Sequence, residues 1–301
     1  DAACRFLIID HDFTPLYLSI VDPPISNERV IVAGPAQPSW RTWETLLAEG
    51  DPGFVPGDQP ELDDALNIQY TSGTTGLPKG AILSHRGLMM HGRVGSAQLQ
   101  DVATNFLIAQ PFHYITAQWQ FLMTVFQGGT AFMPRRQSST RFMRWVKDYH
   151  IHFCNFPEIV SRAPEQPDDR ENDLKVIYCY SHQLQNYRWY ERRYGCVARQ
   201  GFSMTETALV TYVPVEADHM TGTGTCGIPA AFREVKICDA NGTEVPHGEM
   251  GELCVRGPGM LMGYWNRPEA TRDAFHNGGW FRTGDLSRRD ERGWVWYLGR
   301  L

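Results

Sequence analysis

Residues 70–80, YTSGTTGLPKG, constrain this chain most, because their composition suits a loop that binds phosphate. Three glycines, Gly73, Gly76 and Gly80, release the backbone so that consecutive N–H groups can turn toward one anion. The side chains that add further donors are Thr71, Ser72, Thr74, Thr75 and Lys79. The segment therefore predicts a loop that holds a polyphosphate.

The flanks of this loop indicate a strand on each side. Leu66, Ile68 and Tyr70 alternate with polar residues before it, and residues 81–83 are apolar after it. Ser84 is then placed to cap a helix. The spacing fits neither GxxxxGK[ST] nor GxGxxG, so a standard P-loop and a Rossmann turn are both disfavoured. A flexible linker has a similar composition, but companion motifs favour the phosphate loop.

Four further motifs follow in the chain. They are PFHY at 111–114, GFSMTET at 201–207, GELCVRGPGMLMGYWNRPEAT from Gly251, and WFRTGDL at 280–286. Together with the loop, and in this order, they resemble the adenylate-forming (AMP-binding) superfamily of acyl-CoA synthetases, adenylation domains and firefly-type luciferases. The resemblance spans essentially the whole chain. The segment around Leu174 and the Phe-His at 112–113 are most similar to carnitine/crotonobetaine-type CoA ligases.

The resemblance implies an α/β fold, the large N-terminal domain of the adenylate-forming enzymes. Two α/β sheet subdomains are expected at 1–95, with the phosphate loop, and at 96–212, with the acyl and adenine pocket. A small distorted β-barrel subdomain is expected at 213–301, ending at the family's hinge. By comparison with the family, the chain is expected to be a fragment that lacks part of the N-terminal region and the small C-terminal domain.

Composition limits the other classes of function. The chain has 42% hydrophobic residues and a formal net charge of −6, which favours a globular core and argues against nucleic acid or an anionic membrane as partner. Seven scattered cysteines without a CxxC pair indicate reduced thiols. With no long apolar run, these features predict a cytoplasmic protein. The sequence does not determine the oligomeric state, so a homo-oligomer stays open.

The implied reaction is attack of a carboxylate on the α-phosphate of ATP, followed by thioester formation with CoA. It requires ATP, Mg²⁺, CoA and a small carboxylic acid. Three alternatives stay open: transfer to a carrier-protein phosphopantetheine, oxidation as in luciferases, and a module that binds acyl-adenylate or AMP without catalysis. The identity of the acid is not specified by the sequence.

The resemblance also implies roles for individual residues. Thr71, Ser72, Gly73, Thr74, Thr75, Gly76 and Lys79 would hold the departing phosphates. Thr205 would contact the α-phosphate, and Glu206 would bind Mg²⁺, since this cation prefers a carboxylate together with phosphate oxygens. Alone, a Thr-Glu pair is typical of a helix N-terminus. Lys79, Thr205 and Glu206 are the predicted catalytic residues.

The nucleoside would be held by residues from three motifs. Phe202 replaces the family's usual adenine-stacking tyrosine, and Asp285 would accept both ribose hydroxyls, as a carboxylate has two acceptor oxygens. Tyr180 and Ser181 stand where the family has glycines beside adenine. The remaining members of this predicted set are His182, Ser203, Met204, Tyr297 and Arg300.

His113 is expected to line the acyl pocket, as in CoA ligases of the family. Amino-acid-activating members of the family generally carry an aspartate near this position, and the PFHY motif has no carboxylate, so the resemblance disfavours an amino-acid substrate. In the family a C-terminal lysine assists adenylation, and losing one preorganised donor costs about 10²–10³ in rate. The chain alone is therefore expected to bind nucleotide but to adenylate slowly.

Overall fold

Apolar segments of three to seven residues, separated by helices and glycine-rich turns, give the chain a mixed α/β structure. The computed structural model describes residues 2–38, 40–71, 78–99, 102–180 and 183–301. The strands are β1 Leu7–Asp10, β2 Val30–Ala33, β3 Arg41–Thr42, β4 Ala65–Thr71, β5 Lys79–Ser84, β6 Asn105–Leu107, β7 Thr130–Phe132, β8 Phe153–Asn155, β9 Val176–Tyr178, β10 Val197–Arg199, β11 Gly201–Met204, β12 Ala208–Tyr212, β13 Thr225–Pro229, β14 Glu234–Cys238, β15 Met250–Arg256, β16 Gly263–Tyr264, β17 Phe275–His276, β18 Trp280–Arg289 and β19 Val295–Arg300. The helices are α1 Thr14–Leu18, α2 Trp43–Glu49, α3 His85–Gln98, α4 Ile115–Phe126, α5 Phe142–Asp148, α6 Leu184–Tyr194 and α7 Pro268–Asp273.

The contacts between Cα atoms divide the chain into two units, Asp1–Pro60 and Glu61–Leu301. The first unit has a parallel sheet in the order β1-β2-β3. Its core contains Val30 and Val32 of β2 with Tyr17 and Trp40. The side chain of Thr42 caps α2 by accepting a hydrogen bond from the amide of Thr45 over 3.1 Å.

The second unit contains a parallel five-stranded sheet in the order β10-β9-β8-β6-β7. Successive side chains on a strand point to opposite faces, so each strand contributes to two cores. Leu107 and Cys154 pack with α5 and α6, whereas Phe106 and Phe153 pack with α3 and α4. Helices therefore cover both faces, as expected for a parallel sheet.

Helices α3 and α4 pack closely because α3 carries glycines where they meet. A Cβ atom at Gly92 would overlap with Leu122, and one at Gly95 would overlap with the indole of Trp119. These glycines lower the intrinsic helix propensity of α3, but they allow α3 and α4 to pack closely.

A smaller antiparallel sheet, in the order β16-β5-β4, holds the predicted phosphate loop. Strands β4 and β5 form the two sides of a hairpin, which confirms the prediction that the loop joins two strands. Ser84 at the end of β5 caps α3, since its Oγ accepts a hydrogen bond from the amide of Gly87 over 3.1 Å. The phosphate hairpin thus leads directly into a long helix.

The last part of the chain forms a largely antiparallel sheet of eight strands, in the order β11-β12-β13-β19-β18-β15-β14, with β17 paired to β18. Asn241 and Gly242 lie in the turn after β14, and Gly242 adopts a φ of +80°. After this turn the chain forms one bridge, between Cys238 and Glu244.

The α/β class and its β-rich final part are confirmed. The division at residues 95 and 212 stays a prediction. None of the helices in the described ranges is long and apolar enough to cross a membrane.

Candidate functional site

Antiparallel pairing fixes the base of the phosphate loop. Tyr70 pairs with Gly80 and Thr71 pairs with Lys79. The Thr71 hydroxyl also donates to the Lys79 carbonyl over 3.4 Å. Five predicted phosphate ligands lie outside the described residues, namely Ser72, Gly73, Thr74, Thr75 and Gly76. The structure therefore places both ends of the loop, with Lys79 at the start of β5.

Tyr264 connects Lys79 to the acidic residue of the GFSMTET motif. Its ring lies 5.1 Å from the Nζ atom of Lys79, within the range of a cation–π interaction. Its hydroxyl donates a hydrogen bond to Oε1 of Glu206 over 2.9 Å. Tyr264 lies on β16, which pairs with β5 through Gly263–Ile82 and Tyr264–Ala81. Tyr264 lies within the motif that begins at Gly251, but the sequence alone indicates no role for it.

Glu206 lies in the tight turn between β11 and β12. Met204 pairs with Ala208 across this turn, and Ala208 adopts a φ of +66°, which is uncommon for a residue with a side chain. The Glu206 side chain is only 7% exposed, and the amide of Leu261 donates to its carbonyl over 2.7 Å. The neighbouring Thr205 is half-buried. The turn therefore presents Thr205 and Glu206, two of the three predicted catalytic residues, at the end of the β11–β12 hairpin.

Two aromatic rings stand together near the end of the chain. The rings of Phe202, on β11, and Tyr297, on β19, are 6.1 Å apart between centroids, with an angle of 30° between their planes. This offset, nearly parallel arrangement exposes part of each ring. It provides an aromatic surface of the kind on which a nucleobase stacks. Ser203, next to Phe202, is exposed, and Met204 packs inward against Ala81 and Leu83.

Asp285 is a buried carboxylate with an unused acceptor. Its residue is 1% exposed, and Oδ1 lies 3.1 Å from Nε of Arg300, its partner in the β18–β19 register. The second oxygen, Oδ2, has no hydrogen-bond partner among the described residues. Burial raises the pKa of this carboxyl to about 6, against the opposing effect of the Arg300 charge. Asp285 thus retains a buried acceptor for a hydroxyl donor.

Arg300 also supports the part of β18 that carries Asp285. Its Nη1 donates to the carbonyl of Thr283 over 3.1 Å, and the Thr283 hydroxyl accepts from the Asp285 amide over 3.1 Å. From the opposite neighbour, β15, Oε1 of Glu252 accepts a hydrogen bond from the Gly284 amide over 3.0 Å. The Thr-Gly-Asp segment of β18 is therefore held from both neighbouring strands.

Tyr180 presents a second unpartnered polar group. Its hydroxyl is buried without a hydrogen-bond partner in the described ranges, and its ring stands perpendicular to that of Tyr178, with 6.0 Å between centroids. Burial raises the pKa of this hydroxyl well above its usual value, so the group remains a neutral donor. Ser181 and His182 lie outside the described residues.

His113 is exposed, and its backbone contacts the phosphate hairpin. The Gln69 amide group, on β4, donates to the His113 carbonyl, and Gln118 bridges Gln69 and the Phe112 carbonyl. The imidazole stacks obliquely on Tyr114, with 4.5 Å between ring centroids. The PFHY motif is therefore attached to the strand that enters the phosphate loop.

Two of the cavities formed by the described residues of this unit bear on the site. One of about 20 Å³ lies between helix α4 and the GFSMTET motif, where Thr116, Trp119, Ser203 and Met204 contribute to its wall. A wider groove of about 810 Å³ lies beside β7, with Arg135, Arg136 and Arg141 in its wall. The described residues that line the wide groove include none of the predicted site residues. The smaller cavity adjoins the GFSMTET motif.

The structure thus groups the predicted residues locally. Lys79 and Glu206 meet through Tyr264, Phe202 meets Tyr297, and Asp285 meets Arg300. The assigned roles of all these residues in binding and catalysis stay predictions.

Comparison with known proteins gives consistent results. The family model described as "AMP-binding enzyme" matches residues 1–265. A medium/long-chain-fatty-acid–CoA ligase, FadD8 of Mycobacterium tuberculosis, is 28% identical over all of this chain and 55% of its own length. A feruloyl-CoA synthase of an Amycolatopsis species is 32% identical over 82% of this chain and 52% of its own length.

A crotonobetaine/carnitine–CoA ligase of Citrobacter koseri is 26% identical over all of this chain and 60% of its own length. The resemblance to that type of ligase is confirmed as one among several. The chain spans about half the length of the curated relatives that it matches.

Among solved structures, the N-terminal domain of FACL13 from Mycobacterium tuberculosis superposes with a TM-score of 0.83 at 24% identity. The match covers 99% of this chain and 75% of that one, and it shows the shared fold. The family match over most of the chain, the common fold and the ordered motifs lead to one conclusion: this chain belongs to the AMP-binding enzyme family.

Proposed function

We propose that this chain forms the nucleotide- and acyl-binding part of an ATP-dependent acid–CoA ligase. The carboxylate of the substrate attacks the α-phosphorus of ATP, the bond to pyrophosphate breaks, and an acyl-adenylate forms. The CoA thiolate then attacks the acyl carbon and releases AMP. The observation that best supports this proposal is the buried, unpartnered Oδ2 of Asp285, which suits a ribose hydroxyl.

The remaining site residues fit the same ligand. The Phe202–Tyr297 ring pair offers a face for adenine, and Lys79 supplies a positive charge for the phosphates at the loop. Glu206, held by Tyr264, supplies the single carboxylate that Mg²⁺ commonly takes when phosphate oxygens complete its coordination. Bound there, Mg²⁺ would neutralise charge on the departing pyrophosphate.

The acyl group is proposed to lie beside the PFHY motif, where the resemblance places His113 and where this side chain is exposed. The cavity of about 20 Å³ lined by Thr116, Ser203 and Met204 has room for roughly one water molecule, so it does not accommodate an acyl chain. The names of the relatives include fatty-acid, feruloyl and crotonobetaine ligases, so the acid itself is left unassigned.

CoA rather than a carrier protein is the acceptor that the relatives' names support. A cytoplasmic location remains part of the proposal and rests on the scattered reduced cysteines. Oligomerisation and carrier-protein docking are left to experiment.

The decisive experiment is a thermal-shift titration with acyl-sulfamoyl-adenosines that carry short aliphatic, long aliphatic and aryl groups. A ligand that binds the folded state raises the melting temperature with concentration. We expect at least one member to stabilise the chain. Its affinity should fall by at least about 10-fold in Asp285→Asn and in Phe202→Leu. Glu291→Gln, an exposed acidic residue in the β18–β19 turn, is the charge-matched control.

Absence of stabilisation by every member, from a chain shown to be folded, would refute the nucleotide site. Binding without release of pyrophosphate when ATP and the preferred acid are supplied to the full protein would favour a non-catalytic binding module.

A further inference from the structure

A cluster of potential metal ligands lies on strands β15 and β17 of the eight-stranded sheet. The side chains of Glu252, Cys254 and His276 each place one ligand atom within 4.8 Å of the others. Glu252 is 5% exposed and Cys254 is fully buried, and Cys254 is a free thiol. No role in nucleotide or acyl binding accounts for these three residues.

Strand register explains why these side chains meet. Cys238 of β14 pairs with Glu252 of β15, and side chains two positions apart on a strand point to the same face. Cys238, Glu252 and Cys254 therefore share one face, while Leu253 and Val255 fill the hydrophobic core on the other. The fold thus places the Cys254 thiol and the Glu252 carboxylate on the same face of β15, with Cys238 opposite Glu252 on β14.

His276 completes the cluster from β17. Its Nε2 is buried and has no hydrogen-bond partner among the described residues, and it lies 3.9 Å from Oε2 of Glu252. A separation of 3.9 Å is too long for a hydrogen bond. A buried ring nitrogen normally has a partner, so this nitrogen is free to bind a ligand.

The imidazole is also fixed in position. A Cβ atom at Gly242 would lie 2.8 Å from the ring of His276, so the ring packs directly on the backbone of the turn after β14. Glu252 is fixed as well, because Arg282 Nε and the Gly284 amide each donate to it over 3.0 Å. Ligands that are oriented by surrounding hydrogen bonds are characteristic of metal sites.

We propose that Glu252, Cys254 and His276 bind one thiophilic divalent cation, for which Zn²⁺ is the best chemical match. Sulfur, nitrogen and carboxylate ligands together favour Zn²⁺, whereas Mg²⁺ and Ca²⁺ prefer oxygen alone. Binding releases the thiol proton of Cys254 to solvent, and the resulting thiolate and the Glu252 carboxylate balance the metal charge beside Arg282. The site is separate from the Mg²⁺ ligand proposed at Glu206.

The site has a structural link to the nucleotide residues. Glu252 accepts a hydrogen bond from Gly284, which immediately precedes Asp285. A cation on Glu252 would fix this carboxylate and with it the part of β18 that carries Asp285. The metal-binding proposal itself rests on the ligand geometry alone and does not depend on the proposed ligase activity.

The test uses the purified full chain after treatment with a chelator and reductant, titrated with Co²⁺ and then with Zn²⁺. We expect one equivalent of Co²⁺ to give thiolate-to-cobalt charge-transfer absorption, which Zn²⁺ abolishes and Mg²⁺ leaves unchanged. Cys254→Ser and His276→Gln should each weaken Co²⁺ binding by at least about 10-fold. Cys226→Ser, which alters a buried thiol in the core of the same sheet, should bind Co²⁺ normally.

Circular dichroism of each variant establishes that it is folded, and Cys254→Ala or His276→Asn serves in place of a variant that is not. Absence of the charge-transfer band in the wild-type chain would overturn the proposal. So would a band that persists at full strength in folded Cys254→Ser and His276→Gln.

Discussion

The hydroxyl of Tyr264 donates a hydrogen bond to Oε1 of Glu206 over 2.9 Å, while its ring lies 5.1 Å from Nζ of Lys79. One side chain therefore contacts both the lysine of the phosphate loop and the proposed Mg²⁺ ligand. Its backbone pairs with β5, the strand that begins at Lys79. Phosphate and metal binding should consequently respond together to changes at Tyr264.

Tyr264→Phe removes only the hydrogen bond to Glu206 and keeps the ring beside Lys79. A hydrogen bond to a charged group contributes about 1.5–3 kcal/mol, so we expect Mg²⁺-dependent ATP binding to weaken about 10–100-fold. ATP binding without Mg²⁺ should change little. Isothermal titration calorimetry with and without Mg²⁺ separates the two effects.

Tyr264→Leu provides the comparison, because it also removes the cation–π contact with Lys79. Its ATP affinity should fall even without Mg²⁺. Equal losses for Tyr264→Phe in the presence and absence of Mg²⁺ would show that the hydroxyl does not act through Glu206.

Asp285 should make the folded state less stable as the pH rises. Burial raises its pKa to about 6 in the folded protein, from 3.8 for the unperturbed group. The folded state therefore binds more protons than the unfolded state between these values, so this contribution to stability is present below pH 4 and is lost as the pH rises through about 6. The full effect is on the order of 1–3 kcal/mol.

Asp285→Asn cannot lose a proton, so its stability relative to the wild type should increase between pH 4 and pH 7. Urea unfolding at several pH values measures this difference. Glu291→Gln, in an exposed turn, is measured alongside as the charge-matched control. A constant difference for Asp285→Asn as well would contradict the raised pKa.

His91 should have the opposite dependence. The imidazole is buried in α3, and burial, together with the charge of Arg233, lowers its pKa to about 3 from 6.5. The unfolded state takes up the proton first, so stability is lost as the pH falls from 6.5 toward 3, at roughly 1.4 kcal/mol per pH unit. His91→Gln should remove this slope, as measured by urea unfolding against the wild type at pH 4.5, 5.5 and 7. Equal slopes for both proteins would refute a neutral, buried His91.

Gly95→Ala should destabilise the protein, although alanine normally favours a helix by about 1 kcal/mol over glycine. The added methyl would overlap with the indole of Trp119, where α3 packs on α4. Overpacking of this kind costs about 1–3 kcal/mol. Chemical denaturation should show a lower midpoint for Gly95→Ala, and Gly57→Ala, which has open space around it, should be nearly neutral. A higher midpoint for Gly95→Ala would mean that the helices separate freely.

Local patterns predicted much of this structure. The alternation before residue 70 predicted β4, and the position of Ser84 predicted the start of α3, because both depend on neighbouring residues alone. Helix α2 begins at Trp43, since the side chain of Thr42 caps it. Propensity does not determine which of several nearby residues becomes the cap.

Long-range contacts were beyond these patterns. Tyr264 belongs to the motif that begins at Gly251, but its hydrogen bond to Glu206 depends on the pairing of β16 with β5. A strand of two residues is too short to show a periodic pattern in the sequence. The cluster at Glu252, Cys254 and His276 likewise arises from strands that join different parts of the chain. Among the site residues, the motif identities could be predicted, whereas the partner of Asp285 and its unused oxygen required the fold.

The pairing of β5 with β16 also has a consequence for synthesis of the protein on the ribosome. Strand β5 leaves the exit tunnel soon after β4. Its other partners, Gly263 and Tyr264, are translated only after all of residues 85–262. Until then, one edge of β5 has its backbone groups unpaired, and such an edge can join a strand of another chain. A chaperone that covers the unpaired edge of β5 at this stage of synthesis would therefore protect the nascent chain from aggregation.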